Sequence, residues 1–344
     1  MTTGPFSPIA GALDLGGPGG GHFNADAVYF EYSKAADPIA SGAISPVPAA
    51  RFGREHYATG ESRVVPIDLA AHLGTPGPAT SPSLCANFVR VCAGDDLPTP
   101  VNASSQLYHV LWGRGTTTLR DGALHWEKGD FFTLPAGADA VHRASEDSAM
   151  YWVHDEPLLR YLGATAVEAR FRPTHYRRAD AERALDQVAA DPEAANRSRV
   201  SVLLANRALD QTLTVTHVLW AMFGLLPAGG AQPPHRHQSV AVDLVLDCRP
   251  GCYTLLGDLD DSGERLVNIE RVDWEPGAAF VTPPGRWHSH HNESGAPAHI
   301  IPIQDAGLHT YLRTLDIRFM SKEQAARALG ALTAGPALVP AGVA

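Results

Sequence analysis

The chain has 344 residues, 44% of them apolar and 19% charged, with a formal net charge of −10, so about two globular domains with real cores are expected. No run of Lys or Arg forms a basic stripe and no apolar stretch reaches the roughly 18 residues of a membrane helix, so neither nucleic acid nor a bilayer is expected as a partner. The start, MTTGPFSPIAG, has neither the basic nor the apolar region of a secretory signal, so the expected location is cytoplasmic. There Cys85, Cys92, Cys248 and Cys252 are expected as thiols. The pair Cys248 and Cys252 lacks the second Cys/His pair that a zinc site would want.

In chain order, the first 25 residues carry GGPGGGH and read as flexible, without the strand and helix that flank a dinucleotide loop. Residues 26–75 read as mixed extended and irregular. From about residue 82 short β-branched and aromatic runs alternate with turn signals: LCANFVRVCAG, QLYHVLWGRGTTTL, GDFFTLPAG and AMYWVHDE. YRRADAERALDQVAADPEAANRSR is rich in Ala, Glu and Arg, which predicts a helix up to Pro192 that connects two domains. Strands return at TLTVTHVLWAMFGLL and continue to LDIRF. Ser321 and Gln324 form a capping-box pattern ahead of a short helix, and the Gly/Pro/Ala-rich end is expected to fray.

The two β regions repeat. GDFFTLPAGADAVH, Gly129 to His142, matches GAAFVTPPGRWH, Gly277 to His288: Gly129 with Gly277, Pro135 with Pro283, Gly137 with Gly285. Each stretch then reaches a histidine, His142 with His288, if the first copy carries two extra residues. Upstream, WGRGTTTL loosely matches CRPGCYTLL.

The second half also holds PPHRHQSVAVDLVL. Residues two apart on a strand point to one face, so His235 and His237 offer two imidazoles side by side. His288 follows a turn of Gly and Pro that brings another strand across. Three imidazoles make a chelating face for Fe, Zn, Cu, Ni or Mn.

Gly277-x5-Pro283-x-Gly285-x2-His288-x3-Asn292 fits the second cupin motif without a gap, and His235-x-His237 fits the start of the first. The chain resembles a bicupin. Over most of residues 80–320 it is similar to the gentisate 1,2-dioxygenase group, which includes salicylate and hydroxynaphthoate dioxygenases. The resemblance implies an all-β fold of two jelly-roll-like barrels. Residues 1–75 would be an arm, 76–165 a first barrel, 166–205 a helical connection, 206–320 a second barrel and 321–344 a helix and tail. It also implies Fe(II), with Zn, Mn, Ni or Cu as alternatives, held by His235, His237 and His288. O2 and a small hydroxylated or aminated aromatic acid would be the co-substrates. A non-oxidative isomerase, lyase or decarboxylase, or a binding module, is the competing reading of the same barrel.

Two departures from the pattern matter. The glutamate of the first motif is missing, with Ala241 and Val242 in its place, and Asp243 is the next carboxylate of pocket parity. Asp243 reads equally as a fourth ligand, a group orienting a ligand, a substrate-facing carboxylate or a residue without a role. The first barrel has PTPVNASSQLYHVLWG where the His pair belongs and Gln106 at the glutamate position, so it is expected to be metal-free. His290 shares the parity of His288 and is a candidate for acid–base chemistry beside the metal, whereas His291 points away. Asn292 is expected to fix its turn. Arg286 is a candidate anchor for a substrate carboxylate, Trp287 a substrate or packing residue, and Asp305 an orienting carboxylate or a turn residue. Sheet edges on paired barrels make a homo-oligomer the expected state.

Overall fold

The principal strands are apolar on both faces. In Ser148–His154 all seven residues are buried, and so are all seven of Cys85–Val91. A half-buried strand alternates apolar with polar, so strands like these must pack against something on each side. The computed structural model shows what lies there. It describes residues 10–14, 23, 26–196, 200–330 and 339–340, and the expectations for the glycine-rich start and the fraying end fall mainly outside these. The chain divides into a unit up to Pro46 and a unit from Val47 onward. The first holds a four-residue helix, Tyr32–Ala35, and a bridge between Ala12 and Phe30.

The larger unit is built from two barrels of the same design. In the first, a six-stranded sheet runs Thr174–Tyr176, Phe131–Pro135, Ser105–Trp112, Ser148–His154, Cys85–Val91, Arg63–Pro66. It faces a small sheet of Asp96–Pro98, Val141–Ala144, Arg114–Leu119 and Gly122–Glu127. In the second, the large sheet runs Arg51–Phe52, Ala279–Thr282, Ala241–Asp247, Ala298–Gln304, Trp220–Leu226, Val200–Leu204. Opposite it lie Arg318–Phe319, His235–Arg236, Trp287–Asn292, Cys252–Leu259 and Leu266–Asp273, with Val339–Pro340 at the far edge.

The two large sheets share a core. Leu107, Phe131, Tyr151 and Val153 of the first pack in one cluster with Leu244, Val281, Ile301 and Ile303 of the second. The alternate residues, Tyr108, Phe132, Met150 and Trp152, fill the inside of the first barrel. One edge strand crosses from the start of the first barrel to the second. Arg51–Phe52, which precedes the first barrel, pairs with Ala279–Thr282 of the second. Thr174–Tyr176 leads from the first barrel toward the second and pairs with Phe131–Pro135.

The connecting helix forms over Arg178–Ala189 and is followed by a 3-10 turn, Pro192–Asn196. At the end of the chain Ser321 and Gln324 make the capping box: the Gln324 N–H donates to Ser321 Oγ at 3.2 Å and the Ser321 N–H to Gln324 Oε1 at 2.8 Å. The helix runs Lys322–Gly330. No helix among the described residues is long and apolar enough to cross a membrane.

Candidate metal centre

His235 lies directly opposite His288 across an antiparallel pair, with Phe319 on its other side. The turn before His288 needs Gly285, whose φ of +78° is the left-handed region that a side chain resists. Its N–H donates to the His237 carbonyl at 2.7 Å, which ties the two motif halves together. The period-two rule then sorts the cluster. His288, His290 and Asn292 face inward, while Trp287 and His291 lie on the other face of the strand, His291 stacked on Tyr253 at 4.8 Å. Burial lowers the pKa of His291.

Four imidazoles converge. Ring centroids are 4.0 Å apart for His235 and His288, 4.9 Å for His237 and His288, 6.3 Å for His235 and His237, and 5.7 Å from His290 to both His235 and His288. All four are buried. By donor atoms alone the tightest trio is His235, His288 and His290, within 4.8 Å of one another.

Their anchors divide the four differently. Nδ1 of His235 faces the Pro233 carbonyl at 3.2 Å, Nδ1 of His237 the Ser239 carbonyl at 2.8 Å and Nδ1 of His288 the Arg286 carbonyl at 3.1 Å. A carbonyl only accepts, so each of these Nδ1 atoms carries the proton and each Nε2 keeps its lone pair, as a metal ligand requires. Ser239 also reaches Gln304 Oε1 at 2.8 Å, which braces the His237 loop. His290 differs: its Nδ1 meets the Thr254 hydroxyl at 2.8 Å, and that oxygen accepts from Trp274 Nε1 at 2.9 Å. A hydroxyl can give or take a proton, so His290 is not committed to one tautomer.

The first barrel repeats this last arrangement and nothing else of the site. Trp126 Nε1 donates to Thr117 Oγ1 at 3.0 Å, and that hydroxyl meets His142 Nδ1 at 2.8 Å. Thr117 is opposite His142 on its ladder as Thr254 is opposite His290. Trp126 precedes His142 by the same sixteen residues that separate Trp274 from His290. The repeat therefore runs without a gap, and the two extra residues expected in the first copy do not exist. His142 is the counterpart of His290, and Ala140 stands at the place of His288.

The rest of the first site is filled. Tyr108, opposite Phe132, stands where Asp243 stands opposite Phe280. Its ring stacks on Phe132 at 4.6 Å and Trp152 at 5.3 Å, and its hydroxyl meets Thr99 at 3.0 Å. Burial pushes the pKa of His142 down to about 3, so it is a neutral core residue.

The other candidates are placed as follows. Asp243 lines the cavity, is buried, and accepts from Thr282 Oγ1 at 2.6 Å. Arg286 turns outward to Glu270, Asp258 and the Asn268 carbonyl, so its charge is spent away from the cavity. Trp287 packs with Leu259 and Ile269 against the C-terminal helix region, with the Arg236 guanidinium 5.7 Å over its ring. Neither lines the cavity. Asp305 accepts from the Val240 N–H at 3.0 Å and from Ser83 Oγ at 2.6 Å, and His309 Nε2 lies 3.9 Å away. Asp155 does the same in the first barrel, accepting from the Ser105 N–H at 3.0 Å. The same carboxylate–amide contact therefore occurs at corresponding places in both barrels.

Several lining residues are absent from the sequence-based candidates. Trp220, Met222, Gln232, Pro302 and Phe319 complete the wall. The Trp–Thr–His unit was open to discovery from the ungapped spacing of Trp126 and Trp274. Phe319 had no such signal, because only folding brings it against His235, ring to ring at 5.5 Å.

A family profile of cupin domains matches residues 222–304. The second barrel is a cupin. Among curated relatives, 1-hydroxy-2-naphthoate 1,2-dioxygenase of Nocardioides sp. (strain KP7) is 27% identical over 158 residues, 46% of this chain and 38% of that protein. A gentisate 1,2-dioxygenase of Aquipseudomonas alcaligenes is 30% identical over 96 residues, 28% of this chain and 24% of that protein. The chain thus spans well under half the length of these curated relatives. A salicylate 1,2-dioxygenase from Pseudaminobacter salicylatoxidans superposes with a TM-score of 0.59 at 16% identity, over 76% of this chain and 81% of that one. This likeness extends beyond the cupin segment, and the chain shares the bicupin fold.

Proposed function

We propose that this chain is a mononuclear non-heme Fe(II) dioxygenase of small hydroxylated or aminated aromatic compounds. Its metal would be held by His235, His237 and His288. The observation that carries this reading is the trio of imidazoles whose Nδ1 protons are taken by backbone carbonyls, which suits a soft-to-intermediate divalent ion. His290 sits outside the set because its counterpart keeps the same Thr and Trp partners in a barrel with no ligand set at all. Similarity to ring-cleaving dioxygenases supports the reaction class.

Fe(II), when bound, supplies the redox chemistry that lets ground-state O2 react with a closed-shell aromatic ring. The chain's own residues do the rest. Trp220, Met222 and Phe319 give the cavity an apolar wall. His290, beside the ligands and tied through Nδ1 to Thr254, is placed to hold or move a proton of the substrate hydroxyl or amine through Nε2. Ring cleavage by O2 breaks one C–C bond and leaves both oxygen atoms in the product, so no external reductant is required.

The test is metal analysis of anaerobically purified protein, followed by O2 uptake with hydroxylated and aminated aromatics. Stoichiometric iron and O2 consumption are expected. Turnover without O2, or with zinc in place of iron, would instead select a non-oxidative enzyme.

A further inference from the structure

Phe319 belongs to two cavities at once. Inward it walls the metal cavity together with Trp220, Met222 and the histidines. Outward it walls a surface cleft of 420 Å³ together with Leu259, Trp287 and Met320. Its ring stacks on buried His235 at 5.5 Å with 16° between the planes, yet the residue is 51% exposed. It therefore stands between a proposed metal ligand and the outside. The metal cavity is small, 170 Å³ against roughly 300–1,000 Å³ for ordinary ligand pockets. An apolar cavity of about 150 Å³ holds one benzene ring. A single-ring acid fits this space and a second fused ring does not. The other apolar walls are fixed: Trp220 and Met222 lie on Trp220–Leu226, which is paired on one side with Ala298–Gln304 and on the other with Val200–Leu204. Phe319 lies on a strand of two residues, Arg318–Phe319, at the edge of its sheet among the described residues. On this side the size limit rests on one side chain.

We propose that Phe319 sets the ring count of the aromatic acid: its side chain closes the metal cavity to one ring, and without it a second fused ring extends into the outer cleft. Phe319 is then a specificity-determining residue that acts by excluding the larger substrate. Leu259, Trp287 and Met320 give the cleft the apolar surface that such a ring would bury. The inference rests on the metal-cavity reading above.

The experiment is anaerobic titration calorimetry of the Fe(II)-loaded protein with two acids that share an ortho-hydroxy carboxylate head, 2-hydroxybenzoate with one ring and 1-hydroxy-2-naphthoate with two. The wild type is expected to bind the one-ring acid at least about tenfold more tightly, because extra carbons in a filled cavity are rejected by that order. Phe319→Ala should bring the two within about twofold. Phe319→Leu, which keeps an apolar group against His235, should give a ratio between these and decides the matter if Phe319→Ala loses its iron. Leu259→Ala widens the cleft without opening the partition and should leave the wild-type ratio unchanged. Equal or tighter binding of the two-ring acid by the wild type overturns the proposal, as does binding of neither acid. An unchanged ratio in the iron-loaded Phe319 variants, or an equal change in Leu259→Ala, overturns the role of Phe319. O2 uptake is read separately. One-ring preference without O2 consumption removes the dioxygenase reading and leaves the size limit standing, whereas O2 consumption without that preference removes the size limit alone.

Discussion

His237 and His290 compete for the third place beside His235 and His288, and chemistry separates them where distance does not. His290 is closer by donor atoms, but its Nδ1 is shared with a hydroxyl, whereas the Nδ1 of His237 is fixed by a carbonyl. His290→Ala is therefore expected to keep its iron and lose about 10²- to 10⁴-fold in turnover, the usual contribution of a positioned acid or base, as read by stopped-flow O2 consumption. Gly285→Ala should cost roughly 1–2 kcal/mol in a denaturant titration. A Cβ there meets nothing within 4 Å, so the cost is the left-handed backbone alone. The pairing of the histidines was legible because strand parity is a property of the chain itself. The fate of Arg286 was not, because Glu270 and Asp258 lie on other strands and only the sheet brings them near.

At the scale of elements, the Trp–Thr–His unit is shared by both barrels, while the proposed metal ligands lie in one. Thr117→Val and Thr254→Val should each destabilise the protein by about 1–3 kcal/mol, since each leaves a buried indole N–H without its acceptor. Only Thr254→Val should also slow turnover, and neither should remove iron. Urea titration beside iron content checks this. The repeat itself was visible in Gly129, Pro135 and Gly137, but pairing His142 with His288 required a gap. The ladder register shows the ungapped pairing, with Thr117 opposite His142 and Thr254 opposite His290. The aromatic filling of the first barrel is something that composition could not display. Tyr108, Phe132 and Trp152 stack through the space where a pocket would be.

For the whole molecule, duplication and burial set the pH response. Burial pushes His109, His142 and His154 from 6.5 down to about 3, so they stay neutral in the folded chain. The unfolded chain binds those protons between about pH 6.5 and 3, so stability is present above that window and is lost as pH falls through it. Asp155 and Asp305 oppose this, since burial raises both and the folded state holds their protons to higher pH. The three histidines outnumber them, at about 1.4 kcal/mol per pH unit for each net proton. Urea midpoints should therefore fall from pH 7 to pH 5, and a rising midpoint would contradict this balance. The bicupin architecture was legible because both halves carry short apolar strands between turn signals and the same turn residues. The shared core and the crossing of Arg51–Phe52 to the second barrel were not, because strands apolar on both faces do not say which face meets which barrel.

The central claim is that one barrel holds iron through His235, His237 and His288, with His290 beside the set. Iron content of anaerobically purified wild type, His237→Ala, His288→Ala and His290→Ala, measured by mass spectrometry, tests it most directly. About one iron per chain in the wild type and in His290→Ala, with loss in the other two, is the predicted result. Full iron in His288→Ala, or iron lost from His290→Ala and kept by His237→Ala, would contradict it.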